Sequence, residues 1–249
     1  MKTRVIPTIL TDGLTVVKGD KFDNWRTVGN AQATALLYAS RDVDELLFLD
    51  VTARDRETVI ELSLLNHFSS VLDIPFSVGG GISSLEEAKS CFRNGAEKIV
   101  LGTSAILNPK LITEIADVFG SQAVIVAMDF ESTISEQVMI NSGKAKSSID
   151  AMAFIENLEN IGAGEILLQS CEKDGTMTGF DLDRIKRVSS LTKLPVIAGS
   201  GGGSEDDFVH AVNAGASAVS AGAVFQFTQI TPSNVRAKLS ENGISVRCL

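Results

Sequence analysis

Residues that usually announce a metal centre or a disulfide framework are scarce in this chain. Its 249 residues hold two histidines, three cysteines, one tryptophan and one tyrosine. Cys91, Cys171 and Cys248 are too few and too scattered for a disulfide framework or a zinc site, and they point to a reducing cytoplasm. His67 and His210 have no cysteine or second histidine at ligand spacing, so both read as structural, and no metal or cofactor is assigned. Residues 1–10 lack the layout of a secretory signal, and no apolar run is long enough to span a bilayer. Positive charge is also in short supply. Lys and Arg number 22 against 31 Asp and Glu, for a net charge of −9 and a pI of about 4.8. That balance argues against nucleic acid or an anionic membrane as partner. It leaves room for phosphorylated small molecules, because backbone amides in glycine turns bind phosphate without bulk positive charge.

Glycine, by contrast, is abundant and organised. Residues 78–103, VGGGISSLEEAKSCFRNGAEKIVLGT, return at residues 198–223 as AGSGGGSEDDFVHAVNAGASAVSAGA. The offset is 120 residues throughout, so Gly79, Gly81 and Gly102 fall on Gly199, Gly201 and Gly222. Each copy reads as glycine turn, amphipathic helix, Gly-Ala turn, apolar strand and second glycine turn. A repeat at half the chain length means two similar halves. A lone Gly-Gly is more often a tight turn than a ligand site. The duplication favours a pair of facing phosphate sites, since glycine lets backbone N–H groups approach an anion closely.

Around this repeat, eight short apolar strands alternate with amphipathic helices over residues 1–249, with no linker or low-complexity break. Near-continuous apolar strands at this length predict a single (β/α)8 TIM barrel with a half-barrel internal repeat, in preference to an open sheet. The pattern also predicts a hairpin-bearing loop within residues 11–30, a hairpin insertion at residues 131–148 and a helix over residues 56–69. Sites in such barrels lie at the C-terminal ends of the strands, where Asp50, Asp129 and the glycine turns fall. The expected ligand is therefore elongated, with a phosphate at each end.

Seven segments in order carry a family resemblance. They are IPxxxxxGxxVVKG (6–19), DELLFLDVTA (44–53), PFSVGGGI (75–82), GSQAVIVAMD (120–129), GAGEILLQS (162–170), DGTMTGFD (174–181) and the SGGG and AVFQF tail. Together they resemble the cyclase subunits of imidazole glycerol phosphate synthase. The resemblance implies a barrel that takes ammonia from a separate glutaminase subunit. With it, such a barrel would cleave and cyclise a bisphosphorylated phosphoribulosyl ribonucleotide, giving imidazole glycerol phosphate and an aminoimidazole carboxamide ribonucleotide. It implies catalytic roles for Asp129, Lys18 and Asp50. The family's strand 1 aspartate falls on Leu10, and Asp12, two residues on, is the candidate to replace it. The implied phosphate residues are Gly81, Gly102 and Thr103 at one end. Asp174, Gly175, Gly201, Gly222 and Ala223 stand at the other. Gly102 stands where the family has asparagine, Ala223 where it has serine, and Gln169 where it has threonine.

Arg4, Glu45, Lys98 and Glu165 open four of the strands, and two cations with two anions could ring the barrel floor. Charged residues heading apolar strands are often just solvated ends. All four match the family's ionic gate for ammonia, and Glu97 matches an acidic residue facing the glutaminase. A different reading is a non-cyclising relative that activates a glutaminase and passes ammonia to a separate amidotransferase acting on a sugar. A sugar-phosphate isomerase on the same barrel is a third reading, but it has no use for such a gate.

Overall fold

The computed structural model of the chain describes residues 2–41 and 43–247; Cys248 lies outside them. Eight parallel strands close into a barrel. They are β1 (Arg4–Asp12), β4 (Leu46–Asp50), β5 (Phe76–Gly79), β6 (Lys98–Leu101), β7 (Val124–Phe130), β10 (Glu165–Ser170), β11 (Val196–Ala198) and β12 (Ala218–Ala221). The seam is β12 on β1, with Arg4 opposite Ala218 and Pro7 opposite Ala221. The expected (β/α)8 barrel is therefore the observed fold. The hairpin in residues 11–30 is a ribbon of β2 (Thr15–Asp20) and β3 (Asp23–Asn30) that continues from β1. The insertion after β7 is the small hairpin β8 (Val138–Ile140) and β9 (Ala145–Lys146).

The outer ring comprises α1 (Ala31–Ala39), α2 (Leu62–Val71), α3 (Leu85–Arg93), α5 (Lys110–Phe119), α6 (Ala151–Asn157), α7 (Leu182–Leu191), α8 (Glu205–Asn213) and α10 (Pro232–Glu241). The half-barrel repeat extends to the helix caps. Ser84 accepts the Glu87 amide at the start of α3, and Ser204 accepts the Asp207 amide at the start of α8. Each acidic partner reaches back to backbone N–H groups just ahead of its own helix, satisfying donors that the first turn leaves unpaired. The repeat also produces two short helices that periodicity does not reveal, α4 (Thr103–Leu107) and α9 (Ala223–Phe227), each directly after the second glycine of its copy.

One expected helix is corrected. The stretch 56–69 is helical only from Leu62, where Glu61 caps α2 by accepting the Ser63 amide. Ahead of it Glu57 has φ 54°, outside helical space. The Thr58 carbonyl sits so close to Gly81 that a Cβ there would lie 1.8 Å from it. That contact and the ion pairs of Arg56 hold residues 51–61 at the barrel mouth, and periodicity alone carries no trace of either.

Side-chain alternation along the strands sorts the core into two layers. Outward residues pack under the helices, as where Phe48 stacks on Phe68 at 4.3 Å and meets Phe76 edge-on. Inward residues Ile6, Leu47, Val100, Ile125, Ala127, Leu167, Ile197 and Ala218 form a separate apolar plug inside the barrel. The same inward register fixes both ends. On β10 it runs Glu165, Leu167, Gln169; on β6 it runs Lys98, Val100, Gly102. Charge lies at the floor, hydrocarbon in the middle and the candidate site at the mouth.

Candidate active site

Two clefts meet at the C-terminal ends of the strands. The larger, about 860 Å³, is lined by Leu10, Asp50, Gly81, Gly102, Thr103 and Asp129, among others. The smaller, about 510 Å³, is lined by Lys18, Gly175, Gly201, Gly222 and Ala223. Leu10, Gln169 and Asp174 belong to both, so the mouth is one continuous depression. Apart from Asp174, which lines both, the candidates for the two phosphate ends divide between the clefts. Of the catalytic candidates, Asp12 alone lines neither.

Asp12 ends β1 half-exposed and outside both clefts. Its carboxylate accepts from Arg56 Nη1 at 2.5 Å and from the Thr52 hydroxyl at 2.6 Å. The expectation that it could stand in for the strand 1 carboxylate is not met, because β1 stays paired with β2 through Asp12 and turns the side chain to the rim. Leu10, in the inward register, faces the mouth instead. Asp50 lines the larger cleft, but its oxygens are engaged. Arg56 Nη2 donates at 2.7 Å, and the amides of Gly13 and Thr52 donate at 3.2 and 3.1 Å. Asp50 thus fixes the loop geometry around the mouth. The pairing holds the Arg56 guanidinium above its ordinary value: burial opposes the charge, and Asp50 and then Asp12 outweigh it.

Asp129 differs from both. Its Oδ1 is shut from water without a hydrogen-bond partner. Burial, with the negative Asp174 nearby, pushes its carboxyl up to about 7. Asp174 is itself raised to about 6 by burial, against the pull of Lys18 and a 3.2 Å hydrogen bond from the Ser200 hydroxyl. Lys18 is lowered to about 8 by burial, with Asp174 opposing. Its ammonium donates to the Thr8 carbonyl at 3.3 Å and fills the space above Gly222, where a Cβ would lie 2.1 Å from Nζ. A Cβ at Gly222 would also lie 2.8 Å from the Thr8 carbonyl and would displace Lys18 from this position. Gly102, its repeat mate, is not so constrained, since a Cβ there would meet nothing nearer than 3.9 Å.

The structure adds residues that sequence reasoning missed. Phe22 and Trp25 of the β2–β3 ribbon, Arg54 and Ser142 line the larger cleft. The β8–β9 tip closes over it, where the Asn141 amide donates to Thr103 Oγ1 at 2.8 Å and the Ser142 hydroxyl donates to the Val51 carbonyl at 3.1 Å. Positive φ at Asn141 and Ser142, both 54°, shapes that tip. Ser200, the repeat mate of Gly80, was the one such residue with a signal in the sequence, its place in the repeat. Cys171 is buried, and burial, Asp129 and Asp174 raise its thiol far above the ordinary value, so it is an unreactive packing group. His67 is half-buried on α2 and His210 is exposed on α8, both away from the mouth.

At the opposite end the four charged strand heads converge. Arg4 Nη1 donates to Glu45 at 2.7 Å, and the same guanidinium pairs with Glu165. Lys98 Nζ bridges Glu45 at 3.1 Å and Glu165 at 2.7 Å. Both carboxylates accept from both cations, and the ring closes. Burial works against the Glu165 charge, but Arg4 and Lys98 outweigh it and hold that carboxyl below its ordinary value. Ser77 adds a hydrogen bond to Glu45.

Residues 4–231 match the family described as Histidine biosynthesis protein. The chain is 39% identical to imidazole glycerol phosphate synthase subunit HisF of Thermobifida fusca (strain YX), over 99% of both chains. It is 41% identical to the protein of the same name from Thermotoga sp. (strain RQ2), over 93% of this chain and 92% of that one. The chain belongs to the HisF family. Within a HisF barrel, then, the floor ring and the apolar plug are built from one inward register, and the mouth adds residues of the β2–β3 ribbon and the loops.

Proposed function

We propose that this HisF-family barrel uses ammonia from a partner glutaminase to convert a bisphosphorylated phosphoribulosyl ribonucleotide. The products are imidazole glycerol phosphate and an aminoimidazole carboxamide ribonucleotide, a step of histidine biosynthesis. The observation that carries this reading is the mouth itself, with two adjoining glycine-built clefts, Asp129 in the larger and a buried cation, Lys18, in the smaller. Lys18 and the turns at Gly175, Gly201 and Gly222 hold one phosphate. A bound dianion restores the full charge that burial takes from Lys18. Gly81 and Thr103 hold the other phosphate. Asp129, carrying its proton near neutral pH, is the general acid, the role its raised pKa suits. Asp50 and Arg56 keep the surrounding loop in place.

The floor ring of Arg4, Glu45, Lys98 and Glu165 is the proposed entry for ammonia, with the glutaminase docked on the N-terminal face beside exposed Glu97. Neutral ammonia can pass between apolar side chains that would reject an ion. One ring member must swing aside to admit it.

The alternative to this reading is tested at the same mouth. Leu10 faces the mouth where a second carboxylate would complete an acid–base pair, and Asp12 is clamped away from it. A subunit that activates a glutaminase and passes ammonia onward without cyclising would need no such pair. The deciding experiment is turnover of the phosphoribulosyl substrate with saturating ammonium and no glutaminase. Turnover that disappears in Asp129→Asn supports the synthase. No turnover, together with stimulated glutaminase activity in the complex, sinks it in favour of delivery.

A further inference from the structure

Of the carboxylates in and around the mouth, Asp50 and, at the rim, Asp12 are neutralised in place. Asp12 and Asp50 both pair with Arg56, and Asp50 accepts two backbone amides as well. Asp129 and Asp174 line the same cleft, and neither forms an ion pair among the described residues. They come from neighbouring strands. Asp129 ends β7 opposite Gln169 of β10, and the turn at residues 171–173 folds Asp174 back, its amide bonded to the Ser170 carbonyl at 3.1 Å. The turn is anchored from the β2–β3 ribbon too, where the Lys21 amide donates to the Asp174 carbonyl at 2.9 Å. Asp174 is badly suited to the phosphate role that its place in DGT implies. A carboxylate pointed into a phosphate cleft repels the dianion, whereas Lys18 already supplies the matching charge there.

We propose that Asp174 is the general base of this mouth, the partner of the acid Asp129, in the place that Leu10 leaves without a carboxylate. The inference rests on the synthase reading above. As ammonia adds to a carbonyl to form the C–N bond, and again as the C–O bond breaks to release water, the nitrogen loses one proton and the oxygen gains one. Asp174 takes the first and Asp129 gives the second. The proton is left on Asp174, and exchange with the solvent of the mouth returns the pair to its starting state.

The groups facing the pair agree with this division. Lys18 and the Ser200 hydroxyl favour ionised Asp174, and Asp20 opposes it. Asp129 has only the negative Asp174 beside its buried carboxyl, with the Cys171 thiol next to both. Burial raises both carboxyls, and the Lys18 charge and the Ser200 hydroxyl make Asp174 the one of the pair that ionises first.

The test is the pH profile of ammonium-dependent turnover in the wild type, Asp174→Asn and the double variant Asp174→Asn/Leu10→Asp. In Asp174→Asn the rate should fall about 10²–10⁴-fold, the usual worth of an acid–base partner. The limb that rises with pH should vanish, and the falling limb should move to lower pH as Asp129 loses its negative neighbour. KM should stay within about threefold, as expected of a group that is not a phosphate ligand. The double variant, with a carboxylate restored on β1, should recover activity. A rate within about threefold of wild type in Asp174→Asn, or a loss that leaves both limbs in place, overturns the proposal while the synthase reading stands. Absence of turnover in the wild type fails that reading and removes the proposal with it.

Discussion

Asp129→Asn should stabilise the protein at alkaline pH while abolishing the proposed chemistry. In the fold the Asp129 carboxyl is raised from 3.8 to about 7 by burial and by Asp174. A raised carboxylate favours the folded state while it is protonated. Its contribution is complete below the unfolded value and is lost as pH rises through the folded one. The shift spans about three units at 1.36 kcal/mol each, a ceiling of about 4 kcal/mol. Between pH 5 and pH 8 roughly two of those units are crossed, so wild type should lose about 2–3 kcal/mol that the permanently neutral asparagine keeps. For a chain of this length that is about 5–10 °C in melting temperature. The assay is thermal unfolding of both proteins at the two pH values, and the quantity read is the change in their difference. Any fixed cost of placing an amide beside the unpartnered site cancels. An identical difference at pH 5 and pH 8 would refute the claim that Asp129 is held neutral by its surroundings. The stabilisation would be that expected where a site tolerates strain for function.

Three further outcomes follow from the geometry. Arg4→Met leaves Glu45 and Glu165 sharing Lys98 alone, and should cost about 3–5 kcal/mol in urea unfolding at pH 7. Because the depressed Glu165 carboxyl stabilises above its unfolded pKa and ceases to as pH falls through the folded value, this deficit should shrink towards pH 3. The two glycine turns offer a matched comparison by chemical denaturation. Gly201→Ala places a Cβ 2.4 Å from the Gly179 carbonyl at φ 99° and should lose roughly 2 kcal/mol or more, whereas Gly102→Ala, with open space, should stay within about 0.5. Arg184 is buried, lies 4.0 Å from the centre of the Phe130 ring and donates to the carbonyls of Ser132, Thr133 and Ser135. Arg184→Met should raise amide hydrogen exchange across residues 131–136, just after Asp129, and unchanged exchange there would remove its role in fixing that loop.

The sequence by itself determined the barrel, its half-repeat and its floor. Strand, helix and glycine turn recur at a fixed offset, and inward alternation needs only one residue per strand to define a layer. Arg4, Glu45, Lys98 and Glu165 each head a strand, so closing the sheet brings them into one ring with no further information. Asp129 and the glycines were legible for the same reason, as strand ends. Tertiary structure alone decided how the mouth is wired. The apolar pattern of residues 56–69 fits a helix, yet packing of Thr58 on Gly81 unwinds its first turn and frees Arg56 to clamp Asp12 and Asp50. Lys18 and Gly222 lie far apart in sequence but share one space, because the seam of the barrel puts β12 beside β1. Asp174 faces Asp129 only after the turn at residues 171–173 folds it back over β10. Local periodicity records which side of a strand or helix is buried. It does not record where loops from different strands meet, and there the charges of this site are paired or left free.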